Sequence, residues 1–315
     1  MAKPFFGQTA AALRRLPVLN TVLSTRIKGD DMKKKKLIPY LYLLPIISIF
    51  CVLLVYPIFQ VISFSIKDNV ILNANPGFVG FQHFSEILHS DDFWRALGNS
   101  LQFAIVSLIF HIILGTIFAL MLNSSLINHR FRGIARALYI LPWTFTVSIV
   151  AILWRLMLNN SGIINTILGI NIDWFGNKNF AAGAVIFVNI WCSYPFYMIS
   201  ILAALQGISP EYYEAASIDG ANGIQKFFSI TIPHIKPVLI SLMLLDFIWS
   251  MQQLSLTYIT TGGGPMGSSE TIGTYTYNLA FKNYQFSAAS ASAVIIMALC
   301  LVIAVFYVKR QNRLD

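Results

Sequence analysis

Six stretches of largely apolar residues recur along the chain, near 37–66, 98–122, 137–158, 180–205, 238–260 and 287–308. A helix needs about 20 such residues to cross the hydrocarbon core of a bilayer. No water is available there to satisfy peptide groups, so each stretch must close its hydrogen bonds within itself, as a helix. The balance of residues agrees: 56% are hydrophobic and 11% charged, against about 25% charged in a typical soluble domain. The expected fold is therefore all-α: a polytopic membrane protein with six transmembrane helices and no separate soluble domain. Pro45 and Pro57 mark kinks or ends of the long first stretch.

An even number of spans puts both termini on one side, and the basic residues say which. Lys3, Arg14, Arg15, Arg26, Lys28, Lys33 to Lys36, Arg130, Arg132, Arg136, Lys226, Lys236, Lys309, Arg310 and Arg313 fall on the side of the termini. Of the 22 Lys and Arg residues, only Lys67, Arg95, Arg155, Lys178 and Lys282 fall opposite. Cytoplasmic loops carry such an excess, so both termini are read as cytoplasmic. The net charge of +9 follows from this bias and points to no nucleic-acid partner. The chain divides into a basic cytoplasmic segment, 1–36, a membrane domain, 37–308, and a short cytoplasmic tail, 309–315. The basic segment is read as a tail that sets orientation; an amphipathic arm on an anionic leaflet is the alternative. A cleaved signal peptide is not expected, because the following apolar stretch is too long and lacks a small-x-small site.

Chemistry of the enzymatic kind finds little footing. Cys51, Cys192 and Cys300 all lie in apolar stretches, without metal-ligand spacing. His83, His89, His111, His129 and His234 show none either. Gly262-Gly263-Gly264-Pro265 lacks the lysine and the preceding strand of a phosphate loop, and is read as a flexible turn on the outer side. No metal is expected, and no clustered acids suggest a membrane-embedded transferase. His111 sits mid-span, where a packing histidine is preferred to a proton relay.

Asp246 is the only acid within an expected span. A charge at that depth costs about 2.5–3.5 kcal/mol on insertion scales, so it must face a cavity or a partner. Asp246, Trp249, Ser250 and Gln253 form an i, i+3, i+4, i+7 stripe on one helix face. An aromatic ring beside carboxylate, hydroxyl and amide groups suits a sugar, whose C–H face stacks and whose hydroxyls hydrogen-bond. Polar glue between spans uses the same residue types. On chemistry alone both readings stand.

Between the fourth and fifth spans lies a polar island, 209–237, SPEYYEAASIDGANGIQKFFSITIPHIKP. Ser209 and Pro210 predict a helix start, Glu211 suits its positive end, and Gly220 predicts its stop. A second short helix is expected from about Asn222, carrying Phe227 and Phe228, with Pro233 and Pro237 ending it. The result is a helix–turn–helix elbow with small residues on one side, suited to docking against another protein.

Glu214-Ala215-Ala216, Gly220, Ile230 and Ile232-Pro233 resemble the EAA loop of ABC importer permease subunits, with Ile-Pro where that family usually has Leu-Pro. The string EAASIDGA is similar to the maltose-type, sugar-transporting branch, and the likeness covers roughly Leu37 to Lys309. Thr261 to Pro265 and Asn189-Ile190-Trp191-Cys192-Ser193-Tyr194-Pro195-Phe196 carry it further. The resemblance implies the type I importer fold in a bacterial inner membrane. It implies a coupling surface made by Glu214, Ala215, Ala216, Asp219 and Gly220, seated in a cytoplasmic ATPase. It implies sugar contacts at Asn189, Cys192, Ser193 and Phe196 in the fourth span and at Asp246, Trp249, Ser250 and Gln253 in the fifth. The implied partners are a second, non-identical permease, two copies of the ATPase, an extracytoplasmic binding protein and the lipid bilayer. ATP and magnesium would be bound by the ATPase, leaving this chain with no cofactor and no catalytic role. A permease for a non-sugar solute and an ion-coupled carrier using Asp246 and His111 are the competing functions.

Overall fold

A computed structural model describes residues 42–68, 70–124 and 127–311. The expected basic segment, the start of the first span and residues 312–315 lie outside these. The chain separates into two compact units, Met1–Gln60 and Val61–Asp315. Helix α1, Tyr42–Ser65, begins in the first and carries a π turn at Cys51–Val55. Its side chains from Tyr42 to Phe59 are exposed on the single chain.

In the second unit, α2 (Gln82–Leu88) precedes α3 (Asp91–Asn123). Ser90 caps α3 by accepting from the Phe93 amide, and Asp91 and Asp92 lie in its first turn, where acids favour the helix dipole. Next come α4 (His129–Thr144), α5 (Val147–Met157), α6 (Ile163–Leu168), α7 (Ala181–Gln206) and α8 (Pro210–Ile218). Helix α9 runs from Gly223 to Met251. Helices α10 (Ser255–Thr260), α11 (Ile272–Phe281) and α12 (Phe286–Gln311) complete the chain. Among the described residues there is no strand, only an isolated bridge between Lys67 and Phe78. Among the described residues five helices are long and apolar enough to cross a membrane, and α4 with α5 makes a sixth candidate if counted as one bent span.

Four expectations need correction. The third span is not straight: α4 and α5 meet at 91°. Pro142 lies near the end of α4, Phe145 is extended, and Thr146 caps α5 by accepting from the Ile149 amide, so the chain turns there. The fifth span does not reach residue 260. It ends at Met251, and the Gln253 carbonyl accepts from the hydroxyl of Thr271, the residue before α11, at 2.9 Å, which diverts it from helix propagation. Nor do Pro233 and Pro237 stop the helix. A π turn at Phe227–Thr231 leads into Ile232–Met251, so Pro233 sits in a first turn, where its missing N–H costs little, and Pro237 is carried inside. The turn read as flexible is hydrogen-bonded: the Thr261 hydroxyl pairs with Ser269 and accepts from the Gly263 amide.

The packing centre is α3 against α7. Ser107, His111, Gly115 and Ala119 are buried at four-residue spacing on α3, and small residues on such a face let transmembrane helices approach closely where lipid supplies no hydrophobic drive. A Cβ at Gly115 would lie 2.7 Å from Tyr197 Cβ and 3.1 Å from the Met198 amide nitrogen. Gly115→Val should therefore lower the melting temperature of the detergent-purified chain, with an overpacking cost of about 1–3 kcal/mol. Gly98→Ala, on the same helix with nothing within 4 Å of the added carbon, should leave it unchanged; equal melting of the two variants would contradict the close contact.

Candidate functional site

Two walls enclose a cavity of about 200 Å³. Helix α7 contributes Asn189, Ser193, Phe196 and Tyr197; the end of α9 and the residues after it contribute Asp246, Trp249, Ser250 and Gln253; Trp143 of α4 closes one side. Trp143 stacks on Phe196 with centroids 5.4 Å apart, and Phe196 meets Trp249 at 5.4 Å. A continuous aromatic surface thus faces hydroxyl and amide groups. Seven of the eight residues expected at a solute site come together here.

Cys192 is the exception. Its thiol donates to the Pro142 carbonyl at 3.4 Å, and it packs beside the Phe103–Leu256 cluster. The cavity face of α7 follows Asn189, Ser193 and Tyr197, at i, i+4, i+8, which turns Cys192 aside. That same spacing was the available signal for Tyr197. Trp143 had none, because it sits near a bend in a span read as straight.

Behind the cavity the acid is neutralised. Asp246 and His111 are 3% and 1% exposed. His111 Nδ1 lies 3.1 and 3.2 Å from the two carboxylate oxygens. The Tyr197 hydroxyl donates to Oδ1 of the same carboxylate, and its ring lies flat on the imidazole, with centroids 4.7 Å apart and planes 13° apart. His111 Nε2 faces the Asn189 carbonyl at 3.4 Å. An acceptor thus faces each ring nitrogen of His111. Asp246 therefore both lines the cavity and ties spans together, and the mid-span histidine is its ion-pair partner. The sequence brings these two together only in the ion-coupled alternative and not as a contacting pair, although two ionisable side chains at membrane depth are expected to pair.

Apart from its second helix running on through Pro233 and Pro237, the elbow is built as its sequence chemistry suggests, with one difference at its start. Pro210 starts α8 and Glu211 lies in its first turn, but Ser209 makes no side-chain cap. At the other end Gly220 has φ 76°. The Gly220 amide donates to the Ser217 carbonyl and the Ala221 amide to the Ala216 carbonyl, at 3.1 and 2.9 Å, which is a Schellman closure. Asn222 and Gln225 cap each other reciprocally as α9 begins. Lys226 Nζ donates to the Ser217 hydroxyl and the Tyr213 hydroxyl bonds Thr231, so both arms are pinned. Glu214, Ala215, Asp219 and Gly220 are exposed and Ala216 half-buried. Beside them Ile218, Ile224 and Phe228 are 88%, 72% and 64% exposed, an apolar surface that water disfavours.

The family model for binding-protein-dependent transport system inner membrane components matches residues 111–314, taking in every cavity-lining residue and the whole elbow. The chain belongs to that family. This inner membrane component is 32% identical over 292 residues to the trehalose/maltose transport system permease protein MalF of Thermococcus litoralis, covering 91% of this chain and 96% of the relative. It is 30% identical to the lactose transport system permease protein LacF of Rhizobium radiobacter, over 87% of this chain and 94% of that one. Its fold matches a chain of the bacterial alginate ABC transporter solved in complex with its alginate pentasaccharide-bound periplasmic protein, with TM-score 0.77 and 27% identity over 90% of this chain and 97% of that chain.

Asp246→Ala in this inner membrane component would strand the His111 charge. Breaking a buried pair in this way costs about 3–5 kcal/mol. The melting temperature in detergent should fall well below that of Trp249→Ala, which removes a side chain 48% exposed. Equal melting of the two would show that His111 and Asp246 do not form the buried pair.

Proposed function

We infer that this chain is one permease subunit of an ATP-driven importer for an uncharged saccharide. The observation that carries this reading is the continuity of α9. One helix begins at the elbow, at Gly223, and reaches the cavity at Asp246 and Trp249. At 1.5 Å per residue this is a lever of about 35 Å. Movement imposed on the exposed elbow is thereby delivered to one wall of the solute cavity.

The relatives named for trehalose/maltose and lactose transport support a sugar as cargo, and so does the lining. Aromatic faces at Trp143, Phe196 and Trp249 suit the C–H side of a sugar ring, and Ser193, Ser250 and Gln253 suit its hydroxyls. Among the described lining residues no Lys or Arg is present, and the one acid is balanced by His111. An anionic sugar would find no Lys or Arg among the described lining residues to offset its desolvation, whereas a neutral one needs none. The enclosed His111–Asp246 pair, with each group satisfied by the other, gives less support to ion-coupled carriage.

The chain works with a second, different permease, two copies of a cytoplasmic ATPase that bind ATP and magnesium, and an extracytoplasmic binding protein that delivers the sugar. It holds no cofactor and has no catalytic role of its own. Both termini and the elbow face the cytoplasm of a bacterial inner membrane. The exposed face of Glu214, Ala215, Ala216, Asp219 and Gly220, flanked by Ile218 and Ile224, seats in the ATPase.

Proteoliposomes holding the complete complex should take up neutral di- or oligosaccharides with ATP, and take up uronates at least tenfold less. Glu214→Lys reverses a charge on the docking face, and Gly220→Trp forces a bulky residue into a left-handed backbone. Each should insert normally yet co-purify with at least tenfold less ATPase, about 1.4 kcal/mol of lost association. Undiminished ATPase capture by both variants, or uptake by the chain alone under an ion gradient, would overturn the reading.

A further inference from the structure

We propose that His111 is a positioning residue that sets the register of the two cavity walls, and through it the affinity for saccharide, without touching the solute. The inference rests on the functional reading above. His111 lies on α3, is 1% exposed, and is not among the residues lining the cavity. Yet it reaches both walls from behind. Nδ1 engages the Asp246 carboxylate on α9, Nε2 faces the Asn189 carbonyl on α7, and the ring lies against Tyr197 of α7. One turn earlier on α3, the Ser107 hydroxyl accepts from the Asn189 side-chain amide at 3.0 Å. The α7 wall is thus held at Asn189 and Tyr197, and the α9 wall at Asp246, by one face of a third helix.

The direct link between the walls, from the Tyr197 hydroxyl to Asp246, uses the same carboxylate. Oδ1 accepts from Tyr197, and both oxygens lie against His111 Nδ1, while Ser193, Ser250 and Gln253 stand outside that network to meet the solute. Asp246, like His111, then acts through placement: its position fixes where Trp249, Ser250 and Gln253 stand relative to Phe196 and Ser193. A neutral pair in place of the ion pair keeps that register, and an unpaired charge disturbs it.

The test uses the purified complex of this chain, its sibling permease and the ATPase, with equilibrium dialysis against radiolabelled neutral saccharides headed by trehalose, maltose and lactose. His111→Gln leaves the carboxylate uncompensated and should raise Kd at least tenfold per assembled complex. Asp246→Asn should do likewise by stranding the histidine. The double variant, His111→Gln with Asp246→Asn, restores a neutral hydrogen-bonded pair and should bind within threefold of native. A purely structural role would change the amount of assembled complex and not the Kd of what assembles. Native Kd in both single variants overturns the proposal, as does a double variant no better than the worse single. Should His111→Gln fail to assemble, Asp246→Asn and the double variant carry the same comparison: recovery in the double supports the proposal, and equal binding overturns it. A native complex that neither binds nor takes up any saccharide of the panel overturns the functional reading, and the positioning role with it.

Discussion

A carboxylate buried at membrane depth must be neutralised, and in this protein that requirement organises the helices around it. Asp246 finds His111 on α3 and the Tyr197 hydroxyl on α7, so three spans meet at one charge-balanced point. The close approach of α3 to α7 at Gly115 brings Tyr197 within reach. The same meeting point lies directly behind the aromatic and hydroxyl lining of the cavity. Stability and site geometry therefore draw on one set of contacts. Polar groups are costly to place in a bilayer interior and most informative where they occur.

The second organising feature is mechanical. The elbow is rigid because its turn is closed twice, by the Gly220 closure and by the Asn222–Gln225 box, and because Lys226 and Tyr213 cross-brace its arms. The π turn at Phe227–Thr231 lets α9 pass Pro233 without breaking. Surface and cavity are joined by one helix, Gly223–Met251. The family to which the chain belongs is one of binding-protein-dependent transport components, and under the proposed reading this helix carries movement from the elbow to the cavity wall.

Much of this was readable from residue order, and what was not has a common cause. Periodicity along a single helix brought out the α9 stripe and most of the α7 stripe, and local chemistry predicted both helix starts of the elbow and the stop at Gly220, Ser209's side chain excepted, but not the passage of the second helix through Pro233 and Pro237. Pairing between helices is a different kind of fact. Nothing local to His111 says that its partner stands 135 residues away. Cys192 and Tyr197 were exchanged because a stripe's centre shifts by one position with the rotation of the helix, which tertiary packing sets. Trp143 escaped notice because hydropathy measures how apolar a stretch is and is blind to a 91° bend within it. Proline misled in the opposite direction: Pro233 reads as a stop, but a preceding π turn converts it into a first-turn residue.

The most direct test of this account is a structure of the complete importer, in lipid, trapped with a bound neutral saccharide. Density for a sugar ring is expected between the α7 and α9 walls, against Phe196 and Trp249 and within hydrogen-bonding distance of Ser193, Ser250 or Gln253, with His111 still closed on Asp246 behind it. A saccharide bound elsewhere, leaving this cavity to water, would contradict it.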